Sequence, residues 1–532
     1  MTTKSPTAVS WLKRPWSVAL WLVLASLLIS TIVSRLNWPA PKAHDEFSYL
    51  LAADTFCTGR LANPTHRHWE HFESFHVFHQ PTYASKYPPG QGAFMALGQW
   101  LTGQPIAGVW ILSALAAAAT YWMLLGWTSP SWALAGAVLW LVHPGYQLMW
   151  GQSYWGGTLA FLGGALVFGA ALRMRHRAWI RDAVAMATGA VLLAVSRPYE
   201  GLIFCTLVGC WVLWHWIRVQ SPSLRDVLLK SALPQAIVLF TGGLALATYH
   251  KAVTGHALTF PYIIHELAYA QCPMFHGQSP AKPEYRHAVI EDFHSGWAMD
   301  WYRRQSTFQG WLYTKFATSW YAWWFFCPPI LAVAALFVRP WRWNRIRPAV
   351  VIAVVALVLS LGSVFSFAHY MAPFAPLVLM AVVAGLRRID ILSRWRLSGF
   401  RLAPALIALQ AVIFVLAAYK HVAAPPHGWY AQRSFIADKL RSMPGRHLVV
   451  VRYGPEHSPH DEWVYNRADI DGAKIVWARE MGPARDAELV EYFTGYNLWL
   501  LEPDAKRLQP LTAASLVPEK SSASPLAHTS SH

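Results

Sequence analysis

Two adjacent carboxylates, Asp45 and Glu46, follow the first hydrophobic segment of the chain, residues 16–32. A carboxylate pair beside a membrane segment is costly to place and usually has a function. Such a group can act as a general base that takes a proton from an attacking hydroxyl. The structural alternative is a helix cap, because Asp is a good N-cap and the text that follows, FSYLLAADTF, suggests a helix. The residue types alone leave both interpretations open.

Two cations near the ends of apolar segments are candidate phosphate ligands. Lys86 opens the segment KYPP, whose prolines make a stiff turn, and its ammonium could meet a lipid phosphate or simply lie at the membrane surface. Arg197 and Glu200 flank a break between two apolar segments. The planar fork of Arg197 suits phosphate, unless it forms a local ion pair with Glu200.

Three further side chains lie at segment ends and have both a structural and a binding interpretation. His369 is either packed and satisfied, or a donor to phosphate. Tyr154 and Trp155 lie in the turn GQSYWGG. They are either aromatic anchors at the membrane interface, or faces for a sugar or prenyl chain that the glycines allow to approach.

The loop after the first segment is rich in histidine, with two glutamates interleaved: His66, His68, Glu70, His71, Glu73, His76 and His79. The loop has no HExxH or other strict metal motif. Structural or solvent roles are therefore favoured, no metal ligand is assigned, and a divalent metal is left open as a cofactor. The segment HDEW at 460–463 is interpreted by default as a surface turn, with contact to an acceptor as the alternative.

The composition is that of a membrane protein with many spans. Of 532 residues, 55% are hydrophobic and only 13% are charged, whereas soluble proteins carry about 25%. The net charge is +17, but the basic residues cluster between apolar segments. Membrane orientation explains this clustering better than nucleic-acid binding does. No cleavage site follows the first segment, which predicts a retained helix.

Apolar runs long enough to span a membrane predict about eleven transmembrane helices. They are about 15–35, 105–126, 131–148, 154–172, 182–196, 200–217, 231–250, 309–338, 348–367, 370–386 and 402–420. With the N-terminus inside, the basic clusters around Arg175, Arg225, Arg342 and Arg394 all fall on the cytoplasmic side. The first loop (36–90), the second loop (251–305) and the tail (421–532) then lie outside.

The tail reads as a soluble unit. Apolar runs at 447–453, 474–478 and 497–501 predict strands, and 486–493 has helical spacing, which together predict a small α/β periplasmic domain over 421–512. Residues 513–532 are rich in Ser, Ala and Pro and are predicted to be disordered. Cys57 and Cys272 fall in predicted outer loops, and whether they pair is left open.

The text HDEFSYLLAADTFCTGRLANP resembles the first outer loop of the GT-C glycosyltransferases, and KYPP resembles a Lys-Pro-Pro element of the aminoarabinose transferases in that superfamily. The resemblance implies an all-α polytopic membrane domain over 1–420. It also implies inverting transfer of a sugar from a polyprenyl-phosphate donor to an acceptor at the outer face of the inner membrane. In that scheme Asp45 is the base, supported by Glu46. Donor phosphate is bound by Lys86, Arg197 and His369, and substrate by Tyr154, Trp155 and Glu200.

Two rival functions are a transporter of lipid or polysaccharide, and a non-catalytic envelope assembly protein. Transporters favour broken helices and charges near the middle of the membrane. Here the predicted spans are nearly free of charge and the candidate residues gather at one surface. This distribution favours chemistry at the surface, with membrane lipid as a partner and no nucleic acid.

Overall fold

The computed structural model describes residues 14–338, 346–396 and 401–511, and helices dominate it. The helices up to the tail are α1 (Pro15–Leu36), α2 (His44–Cys57), α3 (Gly90–Thr102), α4 (Ile106–Leu125), α5 (Pro130–Leu141), α6 (Thr158–Met174), α7 (Ile180–Ala194), α8 (Pro198–Val219), α9 (Leu224–Val227), α10 (Leu233–Thr254), α11 (Pro261–Tyr269), α12 (Ala288–Glu291), α13 (Ala298–Arg303), α14 (Phe308–Phe326), α15 (Pro329–Leu336), α16 (Arg347–Ser360), α17 (Ala375–Arg396) and α18 (Leu402–Ala423).

A helix lies at the position of each predicted span. Within the described residues, six helical stretches are long and apolar enough to cross a membrane, and α14 with α15, which meet at a bend of 101°, would make a seventh. The helices α5, α6 and α16 are apolar but shorter. The total of eleven spans therefore stays a prediction. The predicted basic loop around Arg342 lies outside the described residues.

Helix α6 lies at the centre of the membrane part and is buried along almost its whole length. Small residues allow its neighbours to approach closely. A Cβ added to Gly164 would lie 2.2 Å from the carbonyl oxygen of Pro373, which belongs to a 3-10 segment, Ala368–Phe374. Close packing on α6 thus fixes the segment that carries His369.

The first and second loops share one hydrophobic core. The first loop contains α2 and an antiparallel hairpin of β1 (Val77–Phe78) and β2 (Ala84–Ser85). Phe75 and Phe78 pack against Tyr249 at the end of α10, and against Val289 and Phe293. The end of α2, the hairpin and α11 are held together by this cluster, which includes Phe56, Ala84 and Tyr269.

The tail contains a four-stranded sheet. Its elements are α19 (Trp429–Ser442), β3 (His447–Val451), β4 (Ile475–Arg479), α20 (Pro483–Tyr492), β5 (Asn497–Glu502) and β6 (Arg507–Pro510). The strand order is β4-β3-β5-β6, with β3 parallel to both neighbours and β6 antiparallel to β5. The three predicted strands and the predicted helix are present, whereas α19 and β6 were not predicted. The predicted disordered segment 513–532 lies outside the described residues.

The tail packs directly on the first loop. Leu51 and Phe72 of the loop lie in one buried cluster with Leu448, Val476 and Leu489 of the tail. The two segments must therefore lie on the same side of the membrane. Cys57 is exposed and Cys272 is buried, and both thiols are free.

Candidate functional site

A cavity of about 1090 Å³ lies where the start of α2, the end of the hairpin, the start of α8, α11 and the segment Ala368–Phe374 meet. Its lining contains seven of the residues that the sequence singles out: Asp45, Glu46, Lys86, Trp155, Arg197, Glu200 and His369. Tyr87, Glu266, His294 and Tyr370 line the same cavity. The fold thus brings side chains from distant parts of the sequence into one cavity.

Asp45 is held by one of its two carboxylate oxygens. The hydroxyl of Tyr87 donates to Oδ1 of Asp45, and Nε2 of His76 lies 3.3 Å from the same oxygen. The Asp45 side chain is 24% exposed, so the carboxylate is fixed in direction yet open to the cavity. A carboxylate in this state has one free oxygen with which to accept a proton.

Glu46, predicted to be catalytic or supporting, caps the first turn of α2. Its Oε2 accepts hydrogen bonds from the backbone N–H groups of Lys42 (2.5 Å) and Ala43 (3.0 Å), and its Oε1 accepts from that of Tyr154 (2.9 Å). Burial raises the pKa of Glu46 to about 6, although these N–H groups oppose the shift. Both oxygens of Glu46 are occupied by these hydrogen bonds, which hold the start of α2 next to Asp45.

Tyr154 is predicted from the sequence to bind substrate, but its ring lies behind the cavity wall. The side chain is 5% exposed and its hydroxyl donates to the carbonyl oxygen of Pro39 at 3.1 Å. The next residue, Trp155, does line the cavity, and its ring meets that of His369 edge-on at 4.4 Å. The turn therefore presents one aromatic face to the cavity and uses the other to join the first loop to the membrane helices.

Lys86 is mostly buried and faces a carboxylate that the sequence analysis did not single out. Its Nζ lies 3.7 Å from Oε1 of Glu266 on α11, and its side chain is only 13% exposed. The same ammonium lies 5.5 Å from the centre of the Tyr87 ring. At 3.7 Å the pair is a loose contact, because strong charge-assisted hydrogen bonds are about 2.7–2.9 Å long.

Arg197 caps the start of α8 and makes no ion pair with Glu200. Among the described residues no carboxylate oxygen lies within 4 Å of its guanidinium, which instead packs on the ring of Tyr370 at 4.4 Å. Glu200 is 7% exposed and has no cation within that distance in the described part of the chain. Its place in the first turn of α8, at the positive end of the helix dipole, stabilises a lone carboxylate.

The histidines of the first loop make structural contacts. His66 pairs with Asp471 at 3.0 Å, and His71 donates to the carbonyl oxygen of Arg479 at 2.9 Å. Across the described ranges no three His, Cys, Asp or Glu side chains are grouped so as to hold a metal ion.

The default interpretation of the segment at 460–463 as a surface turn is wrong for two of its residues. Glu462 and Trp463 are 0% and 1% exposed, because Glu462 pairs with Arg479 inside the tail.

No model of a known protein family matches the sequence, and no curated protein matches it. Solved structures do match. ArnT from Cupriavidus metallidurans in the apo state has 12% sequence identity and a TM-score of 0.50, over 91% of this chain and 93% of that chain. The ArnT structure bound to undecaprenyl phosphate gives a TM-score of 0.51 at 12% identity, over 94% of both chains. The chain has the ArnT fold.

The oligosaccharyltransferase of Archaeoglobus fulgidus in the apo form is a more distant neighbour, with 14% identity and a TM-score of 0.43 over 86% of this chain. The chain spans 65% of the length of that enzyme. The helical, polytopic architecture predicted from the sequence is therefore confirmed only as the fold that the chain shares with ArnT.

Proposed function

We propose that the protein is a glycosyltransferase that moves a sugar from a polyprenyl-phosphate donor to an acceptor at the outer face of the membrane. One observation carries the proposal: a single cavity holds an accessible carboxylate, Asp45, together with two cations, Lys86 and Arg197. The ArnT neighbour, which has the same fold, has been seen with undecaprenyl phosphate bound. Phosphate on a lipid is the ligand that two such cations at the end of apolar helices suit best.

The chemistry follows from these side chains. Asp45 takes the proton of the acceptor hydroxyl, whose oxygen attacks the anomeric carbon of the donor. The bond from that carbon to the phosphate oxygen breaks as the new bond forms, and the electron pair stays on the phosphate. Lys86 and Arg197 bind this phosphate, so that no acid is needed for its departure. Attack opposite the leaving group inverts the anomeric carbon.

The remaining lining suits the other parts of the donor. Trp155 offers an aromatic face, and Glu200 an acceptor for sugar hydroxyls. Met149, Tyr321 and Phe325 give the cavity an apolar wall toward the membrane helices, where a prenyl chain would lie. His369, packed edge-on against Trp155, is proposed to donate to the phosphate.

The proposal is tested with purified protein in liposomes and a panel of labelled polyprenyl-phosphate sugars, with cell-envelope extract as the source of acceptor. Transfer of label by the parent chain and not by the Asp45→Asn variant supports it. Movement of labelled lipid between leaflets by both proteins, without any transfer, would instead support the transporter.

Removal of either cation is expected to weaken donor binding. Charge-assisted contacts of this kind contribute about 1.5–3 kcal/mol, so Lys86→Met and Arg197→Met should each lower the affinity for undecaprenyl phosphate by roughly 10- to 150-fold. The measurement is titration of the folded protein in detergent. Arg286→Met is the matched control, because Arg286 pairs with Glu73 outside this cavity. Unchanged affinity in both test variants would show that Lys86 and Arg197 do not bind the donor phosphate.

The proposed orientation is tested with a thiol reagent that does not cross membranes. Cys57 is a natural exposed reporter in the first loop, and single-cysteine variants Glu456→Cys and Arg177→Cys report on the tail and on the loop after α6. In intact cells Cys57 and the Glu456→Cys variant should react, whereas Arg177→Cys should react only after permeabilisation. The reverse pattern would place the cavity at the cytoplasmic face.

A further inference from the structure

We propose that His76 is a positioning residue that holds Asp45 and Lys86 in a fixed arrangement relative to each other. This inference rests on the proposed function of those two side chains. His76 lies on the first loop immediately before β1, and its side chain lines the cavity at 13% exposure. Its ring lies beside the carboxylate of Asp45, with Nε2 3.3 Å from Oδ1, and its backbone carbonyl group accepts a hydrogen bond from Lys86.

The backbone bond comes from the register of the hairpin. Val77 pairs with Ser85, so His76 stands opposite Lys86 at the open end, and the Lys86 N–H donates to the His76 carbonyl oxygen at 3.1 Å. The hydroxyl of Ser48 donates to the same oxygen at 2.6 Å. Ser48 belongs to α2, the helix that carries Asp45. The carbonyl group of His76 thus joins α2, which carries Asp45, to the end of the hairpin, which carries Lys86.

The ring of His76 contacts the carboxylate of Asp45. Nδ1 of His76 is buried and has no hydrogen-bond partner among the described residues, while Nε2 lies 3.3 Å from Oδ1 of Asp45. Burial, with Lys86 as the next cause, lowers the pKa of His76 well below its usual value, so the ring is neutral and has one proton. That proton belongs on Nε2, because a lone pair there would face the carboxylate.

The two carboxylate oxygens of Asp45 therefore have different surroundings. Oδ1 accepts from Tyr87 and lies beside Nε2 of His76, whereas no described residue donates to Oδ2. The ring of His76 is itself held in place, since it meets the rings of His44, Phe293 and Tyr87 at centroid distances of 5.8 Å. Oδ2 is therefore the oxygen presented to the acceptor.

The backbone of His76 has a conformation that favours glycine. Its φ is +62°, in the left-handed region that glycine occupies without strain and other residues occupy at a cost. Glycine at this position would keep the carbonyl group and both of its hydrogen bonds. What glycine would lose is the ring, and with it the Nε2 atom that lies beside Asp45.

Two variants separate the ring from the backbone. His76→Gly should lower kcat about 10- to 100-fold, because a loosened base loses alignment, with the affinity for undecaprenyl phosphate unchanged. Its stability reflects two opposed effects, because glycine relieves the positive φ but loses the packing of the buried ring. His76→Gln carries an N–H at a similar reach and should regain part of kcat. Activity then ranks His, Gln, Gly, whatever the order of the melting temperatures.

The matched control is His79→Gln in the same hairpin. His79 is 1% exposed and donates from Nε2 to the carbonyl oxygen of Phe72 at 2.9 Å, and no hydrogen bond or ion pair joins it to Asp45. This variant should melt lower with kcat per folded molecule unchanged.

Three results would overturn the role of His76. The first is parental kcat in His76→Gly where Asp45→Asn is inactive, which leaves the proposed function intact. The second is activity that follows melting temperature across the His76 variants, which also leaves it intact. A parent chain inactive with every polyprenyl-phosphate sugar would overturn the proposed function, and the role of His76 with it.

Discussion

Asp45→Asn is expected to lower the rate of sugar transfer by roughly 10²- to 10⁴-fold, the usual effect of removing a general base. Asparagine keeps the shape of the side chain, and its carbonyl oxygen can still accept the hydrogen bond from Tyr87. It cannot take the proton of the acceptor. Since the phosphate contacts belong to Lys86 and Arg197, affinity for undecaprenyl phosphate should be retained. Single-turnover transfer and lipid titration measure the two quantities separately.

Asp54→Asn is the matched control, with the same substitution on the same helix. Asp54 accepts from the backbone N–H of Ala468 at 2.9 Å and pairs with Arg467, so it contacts the tail and not the cavity. Its variant should lose some stability and keep its kcat. Glu46→Gln should also lose stability, because an amide nitrogen cannot accept the N–H groups that Glu46 now binds. Full activity of the Asp45→Asn variant would show that the carboxylate has only a structural role in the loop.

Arg479→Met is expected to lower the free energy of unfolding by about 3–5 kcal/mol, the range seen when one partner of a buried ion pair is removed. Nη2 of Arg479 lies 2.5 Å from Oε2 of Glu462, and the two side chains are 3% and 0% exposed. Its Nε also donates to the carbonyl oxygen of Glu73 in the first loop at 2.7 Å. The variant leaves the Glu462 carboxylate buried without its cation. Thermal unfolding in detergent measures the loss.

Two controls test this interpretation. Arg485→Met removes another arginine that joins the tail to the first loop, but its pair with Glu70 is about half exposed and should contribute at most about 1 kcal/mol. The double variant Arg479→Met/Glu462→Met removes both buried charges and should recover much of the lost stability. Equal losses for Arg479→Met and Arg485→Met would show that burial of the pair is not what matters.

Four charged residues that the sequence singles out lie together in the structure. Each lies at or near the end of an apolar segment, and all line one cavity: Asp45, Lys86, Arg197 and Glu200. A charged side chain is costly in contact with lipid, so a charge at the end of an apolar segment indicates a site at the membrane surface. Such a charge can be recognised in the sequence alone.

Other parts of the site depend on tertiary structure and could not be predicted in this way. Glu266 lies on a short helix inside a polar loop, where a charged residue is ordinary, and only the packing of α11 brings it to Lys86. His76 is one of several histidines in its loop. Neither its positive φ nor its contact with Asp45 can be inferred from the residue types of that loop. Glu46 is different, since a glutamate at the third position of a helix is a recognisable cap.

The core shared by the first loop and the tail has a consequence for the order in which the protein is made. Leu51 and Phe72 are synthesised early, but the residues that cover them, Leu448 to Leu489, are nearly the last of the described chain. Until the tail has been synthesised, the apolar side chains of the first loop are not covered by it. A partly folded chain in this state is prone to misassembly. The start of α2 reaches its final packing only when the tail has folded against it, because His44 hydrogen-bonds Tyr465 of the tail. Completion of the site is thus coupled to folding of the tail.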